Sequence, residues 1–242
     1  MKAERVFFPP RHMPDLRLEG ELLDGAKRGG TGGRACVVSH PHPLAGGTMR
    51  HPVSEGLWRA AAAAGLRALR YNFRGVGEST GELTAKSPLA IADLEGAIDF
   101  LGQGPVLAIG YSYGARVTLH AIHAGARIDR AVLAGLPTRS PRNASAMANL
   151  FLGRKVKTEQ FQPYTDPDLV VSSSKPLLII AGEKDLLVEA DEYRSRGIEP
   201  LLLPGLNHFF SRRLGNQAVD LRDLMVLCEH AIRFLLGNTV PG

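Results

Sequence analysis

Short apolar runs alternate along this chain with segments of helical periodicity, and that alternation constrains the fold more than any other feature. ACVVS (35–39), LRALRYNF (66–73), PVLAI (105–109), RAVLA (130–134), LLIIA (177–181) and IEPLLL (198–203) read as strands. Runs this apolar have no polar face to offer water, so they suit strands covered on both sides. Between them lie helical stretches with recognisable punctuation. Pro52 opens VSEGLWRAAAAA and Gly65 ends it. Ser87 reads as an N-cap with Pro88 in the first helical position, followed by Leu94, Ala97, Ile98 and Leu101 at helical spacing. ARVTLHAIHA closes at Gly125, EADEYRSR forms a shorter helix, and residues 217–236 form a long amphipathic one, capped by Asn216 and stopped by Gly237. LRLEGELL (16–23) alternates apolar and polar residues and reads as a half-exposed strand. The pattern predicts an α/β fold: a mostly parallel central sheet with helices on both faces.

In such sheets, chemistry collects beyond the carboxyl ends of the strands. Two segments fit Gly-x-Ser-x-Gly, GESTG at 77–81 and GYSYG at 110–114. With 27 glycines in the chain the pattern alone decides little. The mechanism asks for a tight turn between a strand and a helix. GYSYG has PVLAI before it and ARVTLHAIHA after it. GESTG follows its strand at a distance and leads into ELTAKSP. Ser112 is therefore the candidate nucleophile, and Ser79 is expected to hydrogen-bond within its own loop. Gly110 and Gly114 would let strand and helix approach closely.

A serine hydroxyl needs a base, and the base an orienting acid, in the order Ser, Asp or Glu, His for this architecture. Asp185 follows LLIIA directly, with Glu183 in reserve. Capping the next helix is the alternative job for Asp185. His208 occupies the matching place after IEPLLL. The other downstream histidine, His230, falls inside the last helix. An oxyanion needs two N–H donors. Tyr113, after the nucleophile, is one. The other should come from the loop after ACVVS, His40-Pro41-His42-Pro43-Leu44. Proline has no N–H, which leaves His42, with Leu44 second. The side chains of His40 and His42 either shape the turn or, as a His-x-His pair, chelate a metal.

HPHPLAGGTM, NFRGVGES, GYSYGA, GEKD and PGLNHFF together resemble the α/β-hydrolase superfamily, and most nearly its small, lidless, dienelactone-hydrolase-like bacterial members. The resemblance spans most of the chain. It implies cofactor-free hydrolysis of an ester, thioester or related acyl bond, with Ser112, Asp185 and His208 as triad and the His42 N–H at the oxyanion. A metal-dependent hydrolase using His40 and His42, or a binding protein that keeps the fold without turnover, are the alternatives. Residues 138–171 exceed what lidless relatives need. Met147, Leu150, Phe151, Phe161 and Tyr164 lie there beside Arg139, Arg142, Arg154, Lys155 and Lys157. The stretch is either a small cap on the pocket or a basic surface excursion. Apart from it, residues 1–242 read as one domain.

The expected partner is a small acyl substrate, and the net charge of +5 permits an anionic one. No nucleic-acid motif occurs. GGTGG (29–33) lacks the Gly-Lys-Ser/Thr of a phosphate loop, so no nucleotide cofactor is expected. Two cysteines, Cys36 and Cys228, make no disulfide framework and are expected as buried apolar residues. MKAERVFFPPRHMPD has no sustained apolar run, and none elsewhere spans a membrane, which makes the cytoplasm the default location.

Overall fold

The computed structural model describes residues 2–25, 33–141, 149, 161–164, 166–213 and 219–239. Among these, eight strands form one sheet: β1 (Glu4–Phe8), β2 (Leu18–Asp24), β3 (Ala35–Ser39), β4 (Arg67–Tyr71), β5 (Val106–Tyr111), β6 (Ile128–Ala134), β9 (Leu177–Gly182) and β10 (Leu201–Leu203). Their spatial order is β1-β2-β4-β3-β5-β6-β9-β10. From β4 to β10 every neighbouring pair is parallel, while β2 runs antiparallel to β1 and to β4. Two three-residue strands, β7 (Arg139–Pro141) and β8 (Phe161–Pro163), pair antiparallel outside that sheet.

The apolar runs form the sheet's interior because both of its faces are covered. All residues of β3 and β5 are buried. Successive side chains alternate sides. Val37 therefore joins the core that contains Leu94, Ala97 and Ile98 of α2 (Ser87–Leu101) and Val117 of α3 (Tyr113–His123). Cys36 and Val38 join the opposite core, with Val53, Leu57 and Trp58 of α1 (Pro52–Ala63) and Leu227, Ala231 and Leu235 of the C-terminal helix. Each fully buried Leu or Val in these stripes is worth about 1.5–3 kcal/mol of hydrophobic stabilisation. Two short helices, α4 (Asp166–Val171) and α5 (Ala190–Arg194), connect the later strands, and α6 (Leu221–Leu235) closes the chain.

Several expectations change. β1 is a strand that the sequence pattern does not announce: its exposed first residues and the following Pro9-Pro10 hide it. Its presence covers β2, which is mostly buried rather than half-exposed. Glu19 illustrates how: its carboxylate accepts from Asn72 Nδ2 at 2.8 Å and from the Glu78 N–H at 3.0 Å, so a polar residue of the alternation faces partners instead of water. The helix read from Ser87 already includes that residue, with Lys86 at the N-cap. Asn216 lies outside the described residues; the cap of α6 is Asp220, whose side chain accepts from the Arg222 N–H at 2.8 Å. Gly237 does stop the helix, at φ 88°. Cys36 is buried and Cys228 half-buried, both as thiols pushed up to about 12 by burial.

The stretch 138–171 holds the β7–β8 ribbon and α4, so its described parts are ordered rather than irregular. Arg142, Met147, Leu150, Phe151, Arg154, Lys155 and Lys157, on which the cap reading leans, lie outside the described residues, as do residues 29–32 of GGTGG. No helix among the described residues is long and apolar enough to cross a membrane.

Candidate active site

Segments following β5, β9 and β10, with only β6 between the first two strands, deliver Ser112, Asp185 and His208 to the sheet's carboxyl edge. Ser112 occupies the one-residue turn between β5 and α3, at φ 55° and ψ −115°. Such a conformation is costly for a residue with a Cβ and persists only where its surroundings hold it. Here the Ser112 N–H donates to Ala134 O at 2.8 Å, and the first turn of α3 bonds back to the Ser112 carbonyl. The two flanking glycines make the turn sterically possible. A Cβ on Gly114 would lie 2.3 Å from Ser39 O, and one on Gly110 would lie 2.4 Å from Ala115 Cα.

His208 Nε2 lies 2.9 Å from Ser112 Oγ, and His208 Nδ1 lies 2.8 Å from Asp185 Oδ2. All three side chains are buried. The second oxygen of Asp185 accepts from the Leu187 N–H at 2.8 Å. That bond steers the carboxylate from its own loop, while Glu189 sits at the N-cap of α5, so Asp185 orients the imidazole and does not cap that helix. Glu183, the reserve acid, instead accepts from the Gly205 N–H at 2.8 Å and braces the β9–β10 corner. His230 is in α6, as its sequence position implies.

Both oxyanion candidates stand beside Ser112 on one cavity wall. His42 lines both cavities that meet at Ser112 and Tyr113 one of them, and neither backbone N–H donates to an acceptor among the described residues. Leu44 sits exposed in the short 3-10 helix Pro43–Ala45 and lines neither cavity. His40 shapes the loop. Its Nδ1 bonds the Pro41 carbonyl at 2.7 Å and its Nε2 the Phe73 N–H at 3.1 Å. Those partners fix the tautomer: Nδ1 donates and Nε2 accepts. Burial holds the ring's pKa down to about 3. With both nitrogens committed, His40 has no lone pair left for a metal, and the described residues contain no group of three or more His, Cys, Asp or Glu arranged to hold one. Burial, and then the charge of Arg116, also lowers the pKa of His42.

Ser79 takes a different part. Its Oγ accepts from the Glu19 N–H at 2.9 Å and donates to Asn72 O at 2.8 Å. It therefore ties its loop to β2 and to the end of β4, beyond the local turn expected of it.

Other residues, not singled out by the sequence pattern, support the site. Tyr111 Oη donates to the His208 carbonyl at 3.0 Å, and burial, then Asp185, keeps that phenol protonated. Gly135, at φ +57°, stands where a Cβ would come within 3.3 Å of His208 Cε1. Asn207 Oδ1 accepts from the Phe209 N–H at 2.9 Å and closes the turn that presents His208. The glycine just past RAVLA and the local Asn207 turn were readable hints; the tyrosine contact appears only when distant segments pack. On one side of Ser112 a cavity of about 30 Å3 is lined by Arg116, Ser140, Tyr164 and Leu187. Arg116 pairs with Asp166 there, and Arg139, also on this wall, with Glu189.

The chain is similar to known proteins along nearly its whole length. A protein of Rickettsia prowazekii (strain Madrid E), uncharacterized protein RP471, is 25% identical over 232 residues, covering 89% of this chain and 87% of that one. The structure of an alpha-beta serine hydrolase homologue from Coxiella burnetii superposes with a TM-score of 0.70 at 22% identity, covering 97% of this chain and 98% of that one. XC6422 from Xanthomonas campestris, described as an a/b serine hydrolase without lid, superposes with a TM-score of 0.66 at 20% identity, covering 99% and 97%. The model of the alpha/beta hydrolase family matches residues 37–158, a span that holds the His40–His42 loop and the Ser112 turn and ends before Asp185 and His208. Sheet order, the turn at Ser112 and the family match agree: the chain belongs to the alpha/beta hydrolase family.

Proposed function

We propose that this protein is a serine hydrolase that cleaves an ester, thioester or related acyl bond through an acyl-enzyme. The observation that carries the reading is the unbroken relay Asp185–His208–Ser112, with contacts of 2.8 and 2.9 Å, on a strained strand-to-helix turn. In this reading His208 Nε2 takes the Ser112 proton as Oγ attacks the acyl carbonyl. Asp185 holds the Nδ1–H tautomer and stabilises the imidazolium. The carbonyl oxygen, negative in the tetrahedral intermediate, accepts from the N–H groups of His42 and Tyr113. His208 then protonates the departing alcohol or thiol, and water repeats the cycle on the acyl-Ser112 ester. No cofactor takes part in these steps.

The substrate is a small acyl compound that enters where the two cavities meet. The arginines nearest Ser112 support an anionic substrate less than the net charge alone would, because Arg116 and Arg139 already have acid partners. The test is a panel of esters and thioesters of varied acyl length, run on the wild-type and Ser112→Ala proteins, with fluorophosphonate labelling of both. Turnover and labelling in the wild type, absent from Ser112→Ala, support the reading. A wild-type protein that neither turns over nor labels returns the chain to the binding-protein alternative.

A further inference from the structure

His51 is built into the site on the side opposite Arg116 and Tyr164, and the relay does not use it. Pro52 restricts the residue before it to extended backbone, and His51 obeys at φ −56° and ψ 133°. Its Nδ1 accepts from the Val53 N–H at 3.3 Å, capping α1. A nitrogen that accepts carries no proton, so the hydrogen of the neutral ring is on Nε2. Nε2 has no hydrogen-bond partner among the described residues. Burial, and then the neighbouring His208, hold the ring's pKa down to about 4, so it stays neutral while His208 gains and loses its proton. The His51 ring packs 5.1 Å from that of Tyr111, which in turn lies 5.8 Å from the His208 ring.

His51, Ser112, His208, Gly47 and Phe209 surround a cavity of about 20 Å3. That is room for about one water-sized group. The group that must stand beside both Ser112 Oγ and His208 Nε2 is the leaving oxygen during acylation and the attacking water during deacylation, because the second half-reaction retraces the first.

We propose, resting on the serine-hydrolase reading, that His51 is a further catalytic residue whose Nε2–H donates a hydrogen bond to the leaving-group oxygen and, later, to the hydrolytic water. In acylation the C–O bond breaks, its electron pair stays on the departing oxygen, and that oxygen takes the proton from His208 Nε2. His51 transfers no proton; it stabilises the negative charge that builds up before the His208 proton arrives. The need for such a donor grows with the basicity of the leaving group. A p-nitrophenolate spreads its own charge, whereas an ethoxide does not.

The test is kcat/KM, which reports acylation, for acetate esters running from p-nitrophenyl through phenyl to ethyl. His51→Asn keeps a strong N-cap acceptor for Val53 while its shorter amide falls short of the cavity. His51→Ala removes both functions, and thermal melts of the two variants read the lost cap separately. The expected loss for His51→Asn is about 100-fold on the ethyl ester, in the range of a removed transition-state donor, and under about 3-fold on the p-nitrophenyl ester. An equal loss across the series, or none on ethyl acetate, overturns the proposal. Ser112→Ala on the same esters separates the two readings. An inactive Ser112→Ala protein with a flat His51→Asn profile removes His51 alone, whereas an undiminished Ser112→Ala protein removes the nucleophile and His51 with it.

Discussion

Residues 77–81 and 110–114 spell the same Gly-x-Ser-x-Gly and reach opposite ends. Ser79 spends its hydroxyl on Glu19 N–H and Asn72 O, sealing one end of a sheet pair. Ser112 Oγ has no backbone bond among the described residues, faces His208, and is held at φ 55° by the strand and helix on either side. The glycines differ as well. Gly114 supports the Ser39 carbonyl at a distance no Cβ could occupy, whereas a Cβ on Gly81 would first meet Arg74 Cβ at 3.4 Å. The spelling of a motif is therefore a statement about small residues around a hydroxyl. What the hydroxyl can do is decided by whether its polar neighbours leave it free.

That contrast can be broken, and the largest effect comes first. Ser112→Ala should lower kcat by about 10⁶-fold, and Ser79→Ala should leave fluorophosphonate labelling intact; mass spectrometry that finds the label on Ser79 reverses the comparison. Asp185→Asn should lower kcat by about 10⁴-fold by favouring the wrong His208 tautomer, with a thermal melt close to wild type in reach of direct comparison. Gly114→Ala should destabilise by about 3 kcal/mol or more, because the crowding atoms are backbone and cannot rotate away. Ser79→Ala should cost about 1–3 kcal/mol, the penalty of leaving the buried Glu19 N–H without its acceptor. Gly81→Ala should cost about 1–2 kcal/mol, from its φ of +94° alone. Urea titrations measure all three, and an equal cost at Gly114 and Gly81 would show that the two turns are less different than described.

The fold was legible where burial on two sides forces apolar runs. ACVVS and PVLAI became β3 and most of β5 because their one polar side chain besides Cys36, Ser39, finds a buried partner in the Tyr71 hydroxyl at 3.1 Å. β1 was not legible: ERVFF has one buried edge, and its partners lie in β2. Three-residue strands such as β7 and β8, and the six-residue α4, are too short to carry a period. The candidate triad was legible because each member stands just past a strand's end, where chain order and sheet order agree. Tyr111 was not, since its hydroxyl acts on a group contributed by another segment. A tyrosine that grips a carbonyl 97 positions away leaves no local trace.

Consider once more the contact between Gly114 and the Ser39 carbonyl. The helix that starts after Ser112 rests on the strand end from which the His40–His42 loop departs, so the proposed nucleophile and the proposed oxyanion amide share one foundation. Their spacing behaves like a fixed gauge, indifferent to what the outer walls are made of. On the proposed reading, substitutions at Pro137, Tyr164 and Leu187 would reshape the pocket wall without moving that shared foundation.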